Sequence, residues 1–206
     1  MDCVLTDAIP NINTADITSG EVVKDASATA IYGARGANGV IIITTKRGQS
    51  GKMMVNYTGN VGVRQPANLV PMANAAEYAN YVSAASGSII SPGTTSTDWY
   101  GQILRNGIYQ NHGLSVNGGT DKSTYFLSAG YYTDQGVVIN NVYKRFSLRA
   151  NNDFTFSKFV KAGISASYAN GNNQIANLGP AYNDAYRAAP IIPSKENGKY
   201  GNSSVY

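Results

Sequence analysis

Apolar and polar residues alternate one by one in five segments of the sequence, and this pattern restricts the fold more than any other feature. Successive side chains of a β-strand point to opposite faces, so each segment predicts a strand with one apolar and one polar face. The apolar members are Met53, Val55, Tyr57, Val61 and Val63; Leu114 and Val116; Tyr125, Leu127, Ala129 and Tyr131; Phe146, Leu148 and Ala150; and Val160, Ala162, Ile164, Ala166 and Tyr168.

The opposite faces of these strands repeat Arg, Asn and Ser, as in Arg145, Ser147, Arg149 and Asn151. A soluble sandwich and a transmembrane barrel both have one apolar face, so alternation alone does not separate them. Strands of about ten residues or more, aromatic residues at strand ends and a wet polar face favour the barrel. The joins "GGTDKS" and "SKF" are short and the join over 65–110 is long, which fits turns on one side and loops on the other.

Composition supports a β-rich chain and argues against a nucleic-acid-binding protein, a disulfide-linked protein and a helical membrane protein. Charged residues make up 14%, with 22 Gly and 15 Tyr. The net charge of +4 comes from scattered basic residues, so we expect no nucleic-acid partner.

Cys3 is the single cysteine, and no apolar leader stands before it, so we expect neither a disulfide nor a signal peptide here. The longest apolar run, Val40 to Ile43, is far shorter than the ~20 residues of a membrane helix.

The segment "DASATAIYGARGANGVIIITTKRG" contains three evenly spaced glycines, Gly33, Gly36 and Gly39. We expect a helix over 26–32 that Asp25 caps and Gly33 ends, followed by a strand from Val40 to Thr45 that is covered on both faces. A dinucleotide loop opens a helix after a strand, whereas these glycines follow a helix and precede a strand. We therefore interpret them as turn residues, without a nucleotide or another cofactor.

The chemistry of catalysis has little support in the sequence. His112 is the single histidine, predicted at the outer end of a strand, and the carboxylates show no paired spacing, so we expect neither a metal site nor an enzyme. An enzyme would need a convergent polar pocket that the sequence does not show. "NAAEYANYVSAA" from Asn74 predicts a helix within the long join, where Trp99 and Tyr100 are candidate ligand-facing aromatics.

A family resemblance extends over about residues 20 to 170. "EVVKDASATAIYGARGANGVIIITTKRG" resembles the end of the plug domain of SusC/RagA-type TonB-dependent outer-membrane transporters. The segment from "TDWYGQILRNGIYQNHG" through "YKRFSLRANNDF" resembles the first barrel strands of the same family. The plug motif comprises Asp25, Ala26, Ser27, Tyr32, Gly33, Arg35, Gly36, Asn38 and Gly39.

The resemblance implies a mainly β fold: the C-terminal part of a small α+β plug domain over 1–48, then an incomplete transmembrane β-barrel of antiparallel strands over 49–206. It implies a fragment of a transporter that lies in the outer membrane of a Gram-negative bacterium, in contact with lipid. Such a transporter imports glycans or peptides beneath a SusD-like surface lipoprotein. The TonB complex would supply energy through a TonB box that we expect to lie outside this sequence.

Two further hypotheses accompany this reading. Arg35 is expected to contact carboxylates on the barrel wall and so help to retain the plug. The alternative function is a self-contained β-sheet module that binds carbohydrate, or another surface partner, through Trp99 and loop tyrosines. A native stop after Tyr206 and cooperative folding without detergent would favour that module.

Overall fold

The computed structural model describes residues 12–25, 30–36, 38–196 and 198–200. The chain forms two compact units. The first comprises Met1–Gly62, Tyr109–Thr133 and Tyr143–Asn172, and the second comprises Val63–Ile108, Asp134–Val142 and Asn173–Tyr206. The division of the chain at residue 48 into plug and barrel stays a prediction.

The chain is mainly β, as the sequence predicts. Its strands are β1 Ile17–Val23, β2 Val40–Thr45, β3 Gly51–Arg64, β4 Gly107–Gly119, β5 Ser123–Gln135, β6 Val142–Thr155, β7 Lys161–Gln174, β8 Lys195–Glu196 and β9 Lys199–Tyr200. Its α-helices are α1 Ala75–Ser86, α2 Trp99–Ile103 and α3 Leu178–Arg187, and 3₁₀ turns cover Thr14–Asp16 and Ala30–Gly36.

The five long strands form one open sheet in sequence order, β3-β4-β5-β6-β7. β1 and β2 form a separate antiparallel hairpin whose register runs from Ile17 opposite Thr45 to Val23 opposite Val40. The hairpin lies in the first unit, together with most of the sheet. β8 and β9 form a third, two-stranded sheet.

Tyrosines on one strand of the sheet lie over glycines on the next. The Tyr109 ring of β4 occupies the space that a side chain at Gly62 of β3 would fill. The Tyr125 hydroxyl of β5 lies 2.7 Å from the position of a Cβ at Gly118 of β4. A large ring shields the backbone of the glycine and restores packing that the glycine lacks. This pairing accounts for part of the high glycine and tyrosine content.

The polarity of the sheet is the reverse of that in a soluble protein. On β5, Ser128 is 8% exposed whereas its neighbour Leu127 is 50% exposed. On β6, Asn151 is 3% exposed whereas Leu148 is 43% exposed. Soluble proteins bury Leu and expose Asn and Ser. The polar face predicted from the sequence is therefore the covered one, and the apolar face is open.

The glycine-rich segment forms turns. Gly33 adopts φ +62° and ψ −149° at a kink within the 3₁₀ element Ala30–Gly36. Gly39 has φ +95°, and its N–H donates to the Gly36 carbonyl at 3.0 Å, which turns the chain into β2. The predicted α-helix over 26–32 is wrong where the structure describes it, because tight 3₁₀ turns interrupted by Gly33 cover this part. Residues 26–29 lie outside the described residues.

The predicted strand Val40–Thr45 is confirmed, but the expectation that both of its faces are covered is wrong. Ile41 of this strand is 53% exposed. β2 has a single neighbour, β1, in a sheet of two strands. Thr44, which points to the face opposite Ile41, is also exposed, so neither face of β2 is fully covered.

Side-chain hydrogen bonds between segments that are distant in the sequence stabilise the second unit. The Arg105 guanidinium donates to the carbonyls of Gly136 and Asn141, each at 3.2 Å. Arg64 forms two bonds of 2.9 Å with the Asp134 carboxylate. The long join is therefore a structured loop, and its predicted helix is present as α1.

Among the residues that the structure describes, no helix has both the length and the apolar character needed to cross a membrane.

Helix α1 begins with a reciprocal pair of hydrogen bonds between Asn74 and Glu77. We expect Asn74→Ala to destabilise α1 by about 1 kcal/mol, because a backbone N–H loses its acceptor. Hydrogen exchange of the α1 amides measures this locally. The control is Asn80→Ala at an exposed position inside the same helix, where the same change should slow exchange slightly because Ala favours helix. Equal effects at both positions would contradict the capping role.

Candidate functional site

The candidate site is the covered polar face of the sheet, where segments flanking the β1-β2 hairpin are held by polar contacts. Its first part is a hollow that we call the glycine notch, formed by residues of four neighbouring strands, Thr58, Gly113, Gly130 and Ser147. A Cβ at Gly130 would lie 2.5 Å from Asn13 Nδ2 and 2.8 Å from Ser147 Oγ. A Cβ at Gly113 would lie 3.5 Å from the same Asn13 nitrogen. The notch therefore accommodates Asn13 because Gly130 carries no side chain, whereas a Cβ at Gly113 would meet Asn13 only at an ordinary contact distance.

Asn13 is fixed in this position by its own local structure. Its Oδ1 accepts the Ala15 N–H at 3.1 Å and caps the 3₁₀ turn Thr14–Asp16. The residue is 4% exposed. Asn is favoured at such a cap because its short side chain reaches the backbone two residues ahead. The same turn directs Asp16 toward the sheet.

Asp16 connects the turn to both the sheet and the hairpin. Its carboxylate accepts the Ser128 O–H at 2.5 Å, and the residue is 5% exposed. Its backbone carbonyl accepts the Lys46 N–H at 2.8 Å. A buried carboxylate is costly unless it receives hydrogen bonds, so Ser128 is part of what makes this position tolerable for Asp16.

The second part of the site is a row of alternating residues on β6 that we call the β6 ladder, Arg149, Asn151 and Asp153. These side chains contact three successive residues, the last residue of β2 and the two residues that follow it. Arg149 Nη1 donates to Thr45 Oγ1 at 3.2 Å, and Asn151 Nδ2 donates to the Lys46 carbonyl at 3.0 Å. Arg47 Nη1 lies 2.9 Å from Asp153 Oδ1. The end of the hairpin is therefore held along one strand.

The chain passes from the ladder to β3 through Gly48. A Cβ at Gly48 would overlap the backbone of Tyr125 on β5. Backbone therefore lies directly on backbone at this crossing, and a larger residue would force the exit segment off the sheet.

The polar contacts of the site differ in strength. The side chains of Arg47 and Asp153 are 51% and 35% exposed, and such a pair contributes about 0–1 kcal/mol because water and salt screen it. The Asp16–Ser128 bond lies in a covered position, where a hydrogen bond to a charged group contributes about 1.5–3 kcal/mol. Retention of the hairpin segment on the sheet therefore depends more on the notch side than on the ion pair.

The residues of the predicted plug motif do not converge on a pocket where the structure describes them. Asp25 and Asn38 are exposed, Tyr32 is half-buried and Gly36 is buried. Ala26, Ser27 and the Arg35 side chain lie outside the described part, so the proposed contact of Arg35 with wall carboxylates stays a prediction. An ion pair of that kind is present at Arg47 and Asp153.

Sequence reasoning did not identify Asn13, Asp16 or Arg47. The available signal was weak: Gly113 and Gly130 interrupt strands, and glycine within a strand often marks a close approach of another chain segment. Nothing in the sequence connects those glycines to Asn13, because they lie 100 and 117 residues further along the chain.

The second unit contains the predicted loop aromatics on α2. Trp99 lines a pocket of about 260 Å³, and its indole N–H donates to the Ala189 carbonyl at 3.1 Å. Tyr100 is half-buried and lies outside the residues that line this pocket. The structure therefore associates Trp99 with a cavity.

His112 lies in the middle of β4 and not at its outer end as predicted. Its Nδ1 is 2.7 Å from the Tyr57 hydroxyl, and the two rings stack at 6.1 Å. Tyr57 is 66% exposed on the open apolar side of the sheet. Within the described ranges, no group of three or more His, Cys, Asp and Glu residues could hold a metal ion.

Comparisons with known proteins are consistent with this arrangement. The chain is 36% identical over 197 residues to TonB-dependent receptor SusC of Bacteroides thetaiotaomicron, covering 94% of this chain and 20% of that protein. It is 39% identical over 186 residues to TonB-dependent receptor P3 of Formosa agariphila, covering 86% of this chain and 18% of that protein. No family model matches the sequence.

The fold is similar to solved structures of the same kind. The structure of the RagAB peptide transporter matches with a TM-score of 0.72 and 25% identity, over 82% of this chain and 23% of that one. The RagAB peptide importer in its open-open state matches with a TM-score of 0.70. The chain spans about one fifth of the length of the curated relatives it matches.

The glycine notch predicts that even a methyl group is harmful at Gly130. Gly130→Ala places a Cβ 2.5 Å from Asn13 Nδ2, so we expect a loss of about 1–3 kcal/mol and faster hydrogen exchange in β1 and β2. The control is Gly20→Ala on β1, where a Cβ meets nothing within 4 Å. Similar exchange in the two variants would contradict the role of the notch.

Double-mutant cycles can measure the covered Asp16–Ser128 hydrogen bond and the exposed Arg47–Asp153 ion pair separately. We expect a coupling of about 1.5–3 kcal/mol between Asp16→Ala and Ser128→Ala, since either change removes the hydrogen bond. The exposed pair, probed with Arg47→Met and Asp153→Asn, should couple by less than about 1 kcal/mol. Chemical unfolding at low and high salt measures both. Only the second coupling should fall with salt, and a salt-sensitive first coupling would contradict this ranking.

Proposed function

The chain belongs to the SusC/RagA family of TonB-dependent receptors, and from this premise we propose that it serves an outer-membrane importer of oligosaccharides or peptides. In this proposal, residues 1–48 supply the end of the plug and residues 49–206 supply the first strands and loops of the barrel wall. The importer would work with a SusD-like lipoprotein and receive energy from the TonB complex. No chemical step is assigned to the chain.

The observation that carries the proposal is the reversed polarity of the sheet. An open face with Leu127 and Leu148 about half exposed is suited to lipid, since hydrocarbon cannot hydrogen-bond polar side chains. A polar face that carries a hairpin segment is suited to a lumen that contains a plug. Strands of 13 and 14 residues exceed the ~9–11 residues that span a bilayer.

The polar character of the site also suits a removable plug. The hydrogen bonds between the hairpin region and the sheet contribute about 0.5–1.5 kcal/mol net for a neutral pair and about 1.5–3 kcal/mol for the Asp16–Ser128 bond, because water replaces each bond when the contact opens. A pulling force can therefore detach the hairpin contact by contact without exposing a large apolar surface. The sheet retains its own ladder of backbone hydrogen bonds when this happens.

The family supports two classes of substrate, peptides and glycans. The similar RagAB structures are titled as a peptide importer and a peptide transporter, and the family resemblance includes glycan importers. Both substrate classes therefore belong to the proposal. The self-contained binding module has less support, because such a module would leave a broad apolar sheet face in water.

A paired labelling experiment tests whether the apolar face of the sheet meets lipid and the polar face meets water, as proposed for a barrel wall. Ala166 and Ser167 are adjacent and both exposed on β7, and they point to opposite faces of the sheet. Each is replaced by Cys in a Cys3→Ser background, in the protein produced from its own gene, and labelled with a fluorophore in reconstituted membranes. We expect brominated lipids to quench the label at position 166, and water-soluble iodide to quench the label at position 167.

Two results would contradict the proposal. Quenching of both labels by iodide alone would show that the apolar face meets water, in favour of the soluble binding module. Lipid quenching at position 167 instead of 166 would show that the faces are assigned the wrong way round. The adjacent pair makes the comparison independent of depth in the membrane.

A further inference from the structure

Four side chains with polar groups form a row across the open apolar face of the sheet, and we call them the interface row. Its members are Tyr57 of β3, His112 of β4, Tyr131 of β5 and Lys144 of β6. The Tyr57 hydroxyl lies 2.7 Å from His112 Nδ1, so the first two members are in direct contact. The other members are aligned through contacts on the covered face of the same strands.

His112 and Tyr131 lie side by side on neighbouring strands. Cβ atoms at Gly113 and Gly130 would lie 3.5 and 2.5 Å from the same side-chain nitrogen of Asn13, so these two glycines are neighbours. His112 precedes the first glycine and Tyr131 follows the second. The two side chains therefore occupy the same level on the opposite, open face.

Lys144 lies at this level on the next strand. The Tyr132 ring is 5.9 Å from the Tyr143 ring and 5.5 Å from the Arg145 guanidinium carbon. Lys144 stands between these two partners in the sequence, and Tyr131 precedes Tyr132. Since alternate residues face opposite sides, Lys144 and Tyr131 are neighbours on the open face.

Lys144 is the one charged residue on the open face of the five long strands that the structure describes. It is exposed, whereas the next residue, Arg145, is buried on the other face. Lys144 forms no ion pair within the described part of the chain. A lysine on a lipid-facing surface is costly at the centre of a bilayer but tolerated near its interface. The row therefore fits the level of lipid head groups.

The Tyr57–His112 pair is held in place and has a hydrogen-bond donor left over. The Tyr57 ring lies over Gly59, where a Cβ would be 2.8 Å from the Tyr57 hydroxyl, and it stacks on His112 at 6.1 Å. Whichever group donates in the pair, His112 Nε2–H or the Tyr57 O–H has no partner within the described residues. Hydrocarbon cannot accept this bond, whereas a phosphate oxygen can.

An apolar cavity of about 460 Å³ lies next to the row on the same face, toward the short turns after β4 and β6. Its lining includes Leu114, Leu127, Ala129, Leu148, Ala150 and Ala166. Leu114 follows His112 by two residues and Ala129 precedes Tyr131 by two, so the cavity begins about 7 Å from the row. The small alanines leave space between the leucines, and an apolar space of this size suits a hydrocarbon chain.

We infer that this face binds a phosphorylated lipid, with its phosphate between Lys144 and the Tyr57–His112 pair and an acyl chain in the cavity. The inference rests on the proposed barrel wall and adds a specific ligand to it. β4 and β6 are separated by two strand spacings, about 10 Å. A phosphate that accepts a hydrogen bond from each side spans this distance, and the ammonium of Lys144 matches its charge.

A second protein is the competing occupant of the open face. It would cover the apolar residues equally well and would pair a carboxylate with Lys144. The cavity favours the lipid, because it begins where the row ends and therefore places an apolar space beside a cation and an unpaired donor. A lipid has its hydrocarbon chain and its phosphate in the same order.

The test uses the protein produced from its own gene, purified in detergent, and native mass spectrometry measures the binding of added lipid. The probes are dimyristoyl phosphatidic acid and dimyristoylglycerol, which have the same acyl chains and differ in the phosphate. We expect a saturable site that binds the phosphatidic acid at least about tenfold more tightly, because only this probe forms the charged hydrogen bonds.

Variants separate the two parts of the site. Lys144→Gln should weaken phosphatidic acid binding by at least about tenfold and leave the diacylglycerol unchanged. The matched control is Lys158→Gln, at an exposed position in the turn between β6 and β7, which should have no effect. Ala129→Leu fills the cavity and should weaken both lipids. Tyr57→Phe combined with His112→Phe keeps both rings and should lower only the preference for phosphate.

The inference is overturned if Lys144→Gln binds phosphatidic acid as the unaltered protein does, or if the two probes bind equally. An equal loss in Lys158→Gln would also overturn it, because the attraction would then belong to the surface charge in general. Absence of any lipid binding would leave the open face to a protein partner. Failure of the lipid site alone would not change lipid quenching at position 166, whereas failure of the barrel wall would abolish that quenching.

Discussion

The Asn13 side chain occupies a space on the sheet that exists because Gly130 lacks a side chain, and the position of the turn before the hairpin depends on this fit. Once Asn13 is seated, the 3₁₀ turn places Asp16 against Ser128, and the Asp16 carbonyl receives the Lys46 N–H. The residues that follow then reach the β6 ladder in order. The absence of a side chain at Gly130 therefore leaves room for the turn that precedes the hairpin.

The same arrangement explains part of the burial of Asn and Ser in the sheet. Burial of polar groups is costly unless each has a partner; Ser128 and the Asn151 side-chain N–H find partners in the segments around the hairpin, whereas Asn117 Oδ1 and Asn151 Oδ1 are buried without a protein partner. The apolar face has no comparable cover within the described structure. A sheet of this kind is suited to a boundary between lipid and a wet interior, and it is poorly suited to free solution.

The second unit is organised by a different principle, because its loop segments are tied mainly through backbone carbonyls. Val137, Gly136 and Asn141 accept from Arg105, while Ala189, Pro190 and Ile192 accept from Thr97 and Trp99. Carbonyl acceptors do not depend on the identity of the residues that supply them. Loops held in this way can vary in sequence around a preserved shape, which suits surfaces that recognise different ligands.

The sequence by itself determined the five long strands with their two faces, strand β2, the glycine turns before β2 and helix α1, because these follow from spacing, backbone freedom and capping between near neighbours. It also identified the family from the motif around Gly33 to Gly39. Only the tertiary structure decided that the polar face is the covered one, that Asn13, Asp16 and Arg47 meet the sheet, and that Trp99 lines a cavity. The physical reason is distance along the chain: the partners of Asp16 and Arg47 lie 112 and 106 residues away. Strand register and the space left at Gly130 select those partners, and local sequence patterns contain neither.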